Sequence, residues 1–452
     1  MAKPTAHMRK KNQPATQVRP ELRPDAAGID LGATVHYVAV PPDRDSNPVR
    51  FFGTQTGDLH QLADWLIACK ITTVAMEATG VYWVPLFQLL EDRGLEVCLV
   101  NARHVKNVPG RKTDVQDCQW LQYLHSVGLL HASFRPPAAV CAVRAFVRHR
   151  ESLVRTGCEH LLRVQKALDQ MNVQLHRAVT DITGETGQKI LEAIIKGERN
   201  PEVLAQHRDS RCKKSEAEIA AALCGDWRPE HLFTLRQSFE AWQYHQKLIA
   251  ECEAELRKQL DGLADQTKEA APPKVRPDKR CDEPTRQHLF EKFGVDLTAV
   301  DGVNVQTAYM FLSEVGPDLS KFESAEHFSS WMGLCPDNRK TGGRPIGVST
   351  RAVANRLATA LRMAAQSLHR VESPLGEWFR RMKAKLGPSG ATTAVAHKLA
   401  RVLYAMIKYR KPFDPERLGN PALRKARKEN SLRRAAMELG YVLQPIQAVA
   451  VS

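Results

Sequence analysis

Over its 452 residues the chain has no stretch of about 18 apolar residues, the length a helix needs to cross a bilayer. Its first residues, MAKPTAHMRKKNQP, contain no apolar core of the kind that directs export. Neither membrane insertion nor secretion is therefore expected, and a cytoplasmic location is. The ten cysteines include no CxxC pair and no Cys/His cluster at zinc spacing, so free thiols in a reducing compartment are the natural reading. No repeat of solenoid period runs through the sequence. What is present is an ordinary globular composition. With 43% hydrophobic and 25% charged residues, global disorder is excluded, and the length predicts roughly two to four domains.

Acidic residues are the minority: 50 Asp and Glu face 65 Lys and Arg, a formal net charge of +15. That surplus is uneven. Residues 339–411 carry sixteen basic residues and two acids, Glu372 and Glu377, for a net +14. Residues 1–26 contribute +4 and residues 412–452 contribute +3, which leaves −6 on residues 27–338. An acidic body joined to a basic C-terminal region is the division expected of a phosphate-binding face, with a merely basic surface as the alternative. The partner implied is nucleic acid.

Hydrophobic patterning divides the chain further. Residues 1–26 form a basic disordered arm. Residues 27–137 alternate strand-like runs (GIDLGATVHYVAVPP, VRFFGTQ, TTVAMEATG, LEVCLVNA) with helical stretches, predicting an α/β domain with a mixed sheet. From 138 to 265, segments such as Phe146 to Met171 and Glu230 to Leu263 repeat large apolar residues at three- and four-residue spacing. Long amphipathic helices of coiled-coil character, folded as a hairpin, follow from that spacing. Residues 266–284 read as a linker, 285–412 as a mostly helical domain and 413–452 as a basic tail.

The chemistry begins with carboxylates in unexpected places. Asp30 lies inside the apolar run GIDLG (28–32), and Glu77 ends the apolar strand TTVAMEATG. Burying a carboxylate in such a run is costly without a metal or a partner. Asp114 and Asp117, three residues apart at a helix start, face one direction. Two acids from strand ends and two from one helical turn are what a two-metal phosphoryl-transfer site requires, since hard Mg²⁺ prefers oxygen ligands. Their order along the chain is that of the ribonuclease H-like nuclease fold. Plainer readings stand beside this one. GIDLGAT also resembles the phosphate loop of actin-like ATPases, Glu77 suits a helix-capping role, and Asp114 and Asp117 suit a helix N-terminus electrostatically.

GIDLG, MEATGVYW (76–83) and VKNVPGRKTDVQDCQWL (105–121) together resemble the signature of the DEDD transposases, insertion-sequence recombinases with a RuvC-like N-terminal domain. The resemblance implies that Asp30, Glu77, Asp114 and Asp117 hold Mg²⁺, as two ions, with Lys112 near a scissile phosphate or balancing the acids. Tyr82 and Trp83 fit either base stacking or a core.

Further on, DLTAVDGVNVQTAYMFLSEVG (296–316) is similar to a helix-hairpin-helix, with Asp301 in place of the usual proline. FSSWMGLCPDNRKTGGRPIGVSTRAVANRLATALRMAAQSL (328–368) reads as an apolar helix, a polar Gly-rich loop and a long basic helix. It resembles the second domain of the same transposases, whose loop carries a serine nucleophile that bonds covalently to DNA. Thr341 occupies the matching position here. Three possibilities follow: Thr341 is the nucleophile, Ser349 replaces it, or this copy is impaired. Ser329 and Ser330 read as ordinary helix residues and His397 as a structural histidine. Arg339, Lys340 and Arg344 surround the loop, and Arg351, Arg356 and Arg362 punctuate the next helix, as nucleic-acid contacts.

The resulting expectation is a Mg²⁺-dependent DNA recombinase that mobilises its own insertion element through a covalent hydroxyl-linked intermediate. The resemblance further implies guidance by a structured non-coding RNA, a homo-oligomer (a dimer or a tetramer built as a dimer of dimers), and action on nucleoid DNA in the bacterial cytoplasm. Two rivals remain. One is a RuvC-like Holliday-junction endonuclease that hydrolyses with water. The other is a non-catalytic nucleic-acid-binding relative.

Overall fold

The computed structural model describes residues 22–78, 80–101, 114–272, 283–342, 344–351, 353–415 and 421–442. The chain forms two compact units, residues 1–135 and 136–452. Among the described residues no helix is long and apolar enough to cross a membrane.

The first unit is built on a five-stranded mixed sheet. Strands β1 (Ala26–Leu31), β2 (Val35–Ala39), β3 (Val49–Gly53), β4 (Thr73–Glu77) and β5 (Glu96–Val100) lie in the order 3-2-1-4-5. β1–β2 and β2–β3 pair antiparallel, whereas β1–β4 and β4–β5 pair parallel. The mixed sheet read from the sequence is present, and its order is compatible with a ribonuclease H-like domain. Parallel neighbours need a crossover, and helices α1 (Thr56–Ala68) and α2 (Trp83–Asp92) supply it.

Side chains alternate across each strand, so the two sheet faces bury different sets. Ala27, Ile29, Leu31, Val38, Val74 and Met76 join α1 and α2 in one core. The opposite face, with Ala75, Cys98 and Val100, is covered by α3 (Asp114–Ser126) through Leu121. Gly28 makes this second packing possible. A Cβ there would fall inside the van der Waals radii of the Gln122 nitrogen and the Cys118 carbonyl oxygen, both backbone atoms of α3. The helix is fixed further by Gln122 Nε2 donating to the Ala26 carbonyl (3.2 Å) and by a 2.8 Å contact between His125 Nε2 and Thr73 Oγ1.

The second unit opens with two 33-residue helices. α4 (Ala138–Gln170) continues through four short helices, α5 (Leu175–Ala178), α6 (Glu185–Ile195), α7 (Pro201–Ala205) and α8 (Glu216–Leu223), into α9 (Pro229–Asp261). α4 and α9 pack antiparallel. Arg150 donates to Glu253 at 2.7 Å near one end, and Gly157 meets His245 and Trp242 further along. The four short helices close the far end over a core that includes Leu168, Ile190, Leu223 and Phe239. A hairpin of long helices is thus observed, as the periodicity predicts.

Beyond it come α10 (Glu283–Phe293), α11 (Val305–Glu314), α12 (Ala325–Trp331), strands β6 (Pro336–Thr341) and β7 (Arg344–Thr350), α13 (Arg356–Ser367), α14 (Pro374–Tyr409) and α15 (Pro421–Glu438). Phe293, Phe311, Phe322, Phe328 and Tyr404 form a chain of ring contacts at the centre of this part, and the Tyr404 hydroxyl donates to the Phe322 carbonyl at 2.8 Å. In the turn before α11, Gly302 (φ +85) presses against α13, where a Cβ would come within 2.7 Å of the Ala364 carbonyl oxygen. That glycine is used for internal packing.

One expectation fails. The segment read as a polar loop is an antiparallel two-stranded hairpin, with Pro336 opposite Thr350 and Thr341 opposite Arg344. The long basic helix expected directly after it starts only at Arg356, where Asn355 Oδ1 accepts from the Ala358 amide at 2.9 Å.

Gly28→Ala is expected to destabilise the first unit by about 3 kcal/mol or more, because backbone rather than a flexible side chain must move. Urea unfolding of the full chain measures this, and a loss below about 1 kcal/mol would contradict the packing described.

Candidate active site

The period of two along a strand places the acids. Gly28 faces α3, so Asp30, two residues later, lies on the same face at the end of β1. Ala75 faces α3, so Glu77 at the end of β4 does too. Because Ile29 is in register with Met76, Asp30 and Glu77 follow side by side on adjacent parallel strands. α3 crosses this face with Gln122 over Ala26 and Gly28, and its first turn carries Asp114 and Asp117. A crevice at the carboxyl ends of parallel strands is where open α/β sheets bind ligands.

The electrostatics record the meeting. Asp30 is half-buried, and its carboxyl is pushed up to about 6, first by burial and then by the negative charges of Asp114, Asp117 and Glu77. All four sequence-predicted acids therefore share one neighbourhood. Cys118, buried beneath them, has its thiol pushed up to about 12 by burial and by Asp30, so it stays protonated and leaves an all-oxygen donor set. That set has the chemistry of a hard divalent cation. The carboxylates are neighbours rather than a closed cage: among the described residues, no three His, Cys, Asp or Glu side chains converge closely enough to enclose an ion. His125 lies at the other end of α3, where burial pushes it down to about 4.

Two neighbours of the acids escaped the sequence reading. Tyr37 sits directly opposite Asp30 in the antiparallel ladder and shares its face. Gly28 is the position that admits α3. The alternation in VHYVA and the glycine two residues before the acid were the available signals. Trp83 packs edge-to-face on Phe87 at 5.6 Å and is partly buried against the core, while Tyr82 stays 47% exposed and is the more accessible of the two. Lys112 lies outside the described residues.

The second unit holds the hydroxyls. Thr341 is exposed at the tip of the β6–β7 hairpin, next to Gly342 at φ +55, the backbone a two-residue turn requires. Ser349 is also exposed, but it pairs with Asp337 nearer the base, roughly 13 Å along the strand from the tip. The base is held by several contacts. Gly333 (φ +66) lets the chain pass Val353, where a Cβ would come within 2.7 Å. Arg351 donates to Ser330 Oγ at 2.8 Å, and Cys335 Sγ lies 3.6 Å from His397 Nε2.

Of the predicted basic contacts, Arg351 is thus engaged with Ser330, and Arg356 is ion-paired with Glu151. Arg339, Lys340 and Arg344 lie on the hairpin strands, and their side chains fall outside the described residues. Arg362 is half-buried and lines a cleft against α14. His397 is half-buried and held below the usual histidine range by burial, in keeping with a structural role. Ser329 is buried and bonds its own helix at the Ala325 carbonyl.

Residues 27–173 match the profile of the DEDD transposases of the IS110 group, and residues 296–379 match the profile of the IS116/IS110/IS902 transposase family. The chain belongs to this family of transposases. It is also 29% identical over 126 residues to a Sinorhizobium fredii protein named "Putative transposase y4pF/y4sB", a match that covers 26% of this chain and 32% of that relative.

The raised carboxyl gives a pH test. Asp30 has a folded-state value near 6 against 3.8 for an ordinary Asp, so its charged form opposes folding. The penalty is absent below pH 3.8, grows through that interval and is complete above pH 6. Asp30→Asn in EDTA is expected to be more stable than the parent at pH 8, by about 1 kcal/mol once solvent screening of a half-exposed group is allowed for, and no more stable near pH 4. Thermal unfolding at the two pH values checks this, and an equal effect at both would count against the shared neighbourhood.

Proposed function

We propose that the acidic cluster and the Thr341 hydroxyl serve one strand-exchange reaction on the DNA of an insertion element. Asp30, Glu77, Asp114 and Asp117 would hold Mg²⁺, as two ions. When bound, it supplies charge neutralisation and polarisation of phosphodiester oxygens. The supporting observation is Asp30 itself, a half-buried carboxyl raised first by burial and then by three neighbouring acids, because a site that gathers this much negative charge suits a divalent cation.

Thr341 supplies the attacking group. Its Oγ forms a bond to phosphorus while the phosphorus–oxygen bond to the departing strand breaks. The threonine proton leaves to solvent, and the departing oxygen takes one up. One phosphodiester replaces another, so rejoining needs no external energy. The exposed tip of a hairpin suits this role. Lys112, Arg339, Lys340, Arg344 and Arg362 would hold the strands by their phosphates. Arg351 and Arg356, engaged within the protein, would contribute less. A structured non-coding RNA that pairs with element ends and target, assembly of protomers into a dimer or tetramer, and work in the bacterial cytoplasm on nucleoid DNA complete this reading on the strength of the family resemblance.

The threonine also favours a second reading. Its β-methyl crowds Oγ, and an unactivated hydroxyl is a weak nucleophile. Water would then attack, giving a RuvC-like Holliday-junction endonuclease. Denaturing gels of the protein with junction or element-end DNA and Mg²⁺ separate the two. Thr341→Ala is expected to abolish a covalent protein–DNA band that Ser349→Ala retains, and Asp30→Asn to reduce strand cleavage at least 100-fold. Cleavage without any covalent band would favour water. A band that persists in Thr341→Ala would remove Thr341 from the role, and cleavage unchanged in Asp30→Asn would remove the acids.

A further inference from the structure

α14 is a single helix only by its ends. At Gly387 the backbone leaves helical geometry (φ +74, ψ 174), and Pro388 opens a second segment that runs to Tyr409. Proline suits that place because it lacks the N–H that a first turn cannot use. Where the segments meet, a cleft of about 580 Å³ lies between α14 and α13, within the range of volumes that take a nucleotide-sized ligand.

The lining is one-sided in charge. Arg362 enters from α13, His369 from the short turn after it and Lys383 from the first segment of α14, while Ser389, Thr392 and Thr393 come from the first two turns of the second segment. Among the described residues no carboxylate lines the cleft. Among the described residues, neither Arg362 nor Lys383 has an acidic partner. Lys383 Nζ instead donates to His369 Nε2 at 3.1 Å. Arg380 holds the turn in place from outside, donating to the carbonyls of His369 (3.3 Å) and Val371 (3.0 Å). Cations gathered without counter-charges in a concave, fixed site repel one another, and the arrangement is favourable only toward an anion. The positive end of the second segment's dipole adds to the same sign.

We propose that this cleft binds a phosphodiester of a nucleic-acid strand, with Lys383 and Arg362 neutralising the phosphate and Ser389 and Thr393 placed to contact its oxygens. Lys383, His369 and Ser389 lie outside the Mg²⁺ and nucleophile assignments and outside the hairpin. Lys383 and Ser389 also lie past residue 379, where the family match ends. The inference rests on the cleft alone and stands whether or not Thr341 is the attacking group.

The test uses the full chain and fluorescent DNA duplex and RNA hairpin probes, titrated from about 0.05 to 0.3 M salt. Each phosphate contact contributes about 0.9 to the slope of log affinity against log salt on duplex DNA, and about 0.7 on single strands. Lys383→Gln is expected to lower that slope by about one unit and to weaken binding about fivefold to tenfold near 0.1 M salt. A change confined to the DNA probe names DNA as the strand, and one confined to RNA names the RNA; either supports the cleft. Ser389→Asp separates binding from folding. A carboxylate in the first turn stabilises the segment, so its melting temperature is expected to match or exceed that of the parent, while binding falls. Unchanged slopes for both probes in Lys383→Gln, or full binding by Ser389→Asp, would overturn the proposal. So would an equal loss in Lys166→Gln, which removes the same charge from α4, since net charge would then be the cause.

Discussion

The first unit depends on a close approach that only a hydrogen atom allows. Where α3 crosses β1, Gly28 lies against the backbone of Cys118 and Gln122, and a single methyl group would push helix and sheet apart. Everything at the carboxyl ends of β1 and β4 inherits that spacing. With α3 held down, the two acids of its first turn raise the carboxyl of Asp30. With α3 lifted, they would be surface residues at a helix N-terminus, remote from Asp30. The grouping of the four carboxylates thus rests on one residue that has no side chain.

The hairpin shows the opposite arrangement. Its tip is exposed and touches little, while its base is tied by Gly333 against Val353, Arg351 on Ser330 and Cys335 beside His397. These contacts are spread over three elements, so no one of them governs the hairpin as Gly28 governs α3. His397 joins the cluster neutral, with burial as the cause.

Much of this was legible beforehand, and the reasons are physical. Five short apolar runs became β1 to β5: β1 and β4, covered on both faces, read as nearly continuous apolar runs, while β2 alternates. The acids were legible because each interrupts an apolar run or opens a helix. The β6–β7 hairpin was not, since PDNRKTGGRPIGVST is mostly polar and its alternation is confined to Ile346 and Val348, although its Gly-Gly pair between two extended runs is a hairpin signal. Tyr37 was missed because cross-strand register is invisible in a single strand. The cleft at Gly387 was missed for a related reason: its lining comes from three elements, and Arg362 alone gives no hint of Lys383.

The separation between hairpin base and hairpin tip has a bearing on how such a protein changes over generations. Substitutions at the base disturb packing. Residue 341 touches little of the core, so it is free to exchange one hydroxyl-bearing side chain for another at almost no cost to folding. Where Thr341 serves as proposed, a single codon change at the tip would retune or silence the reaction while leaving the scaffold intact.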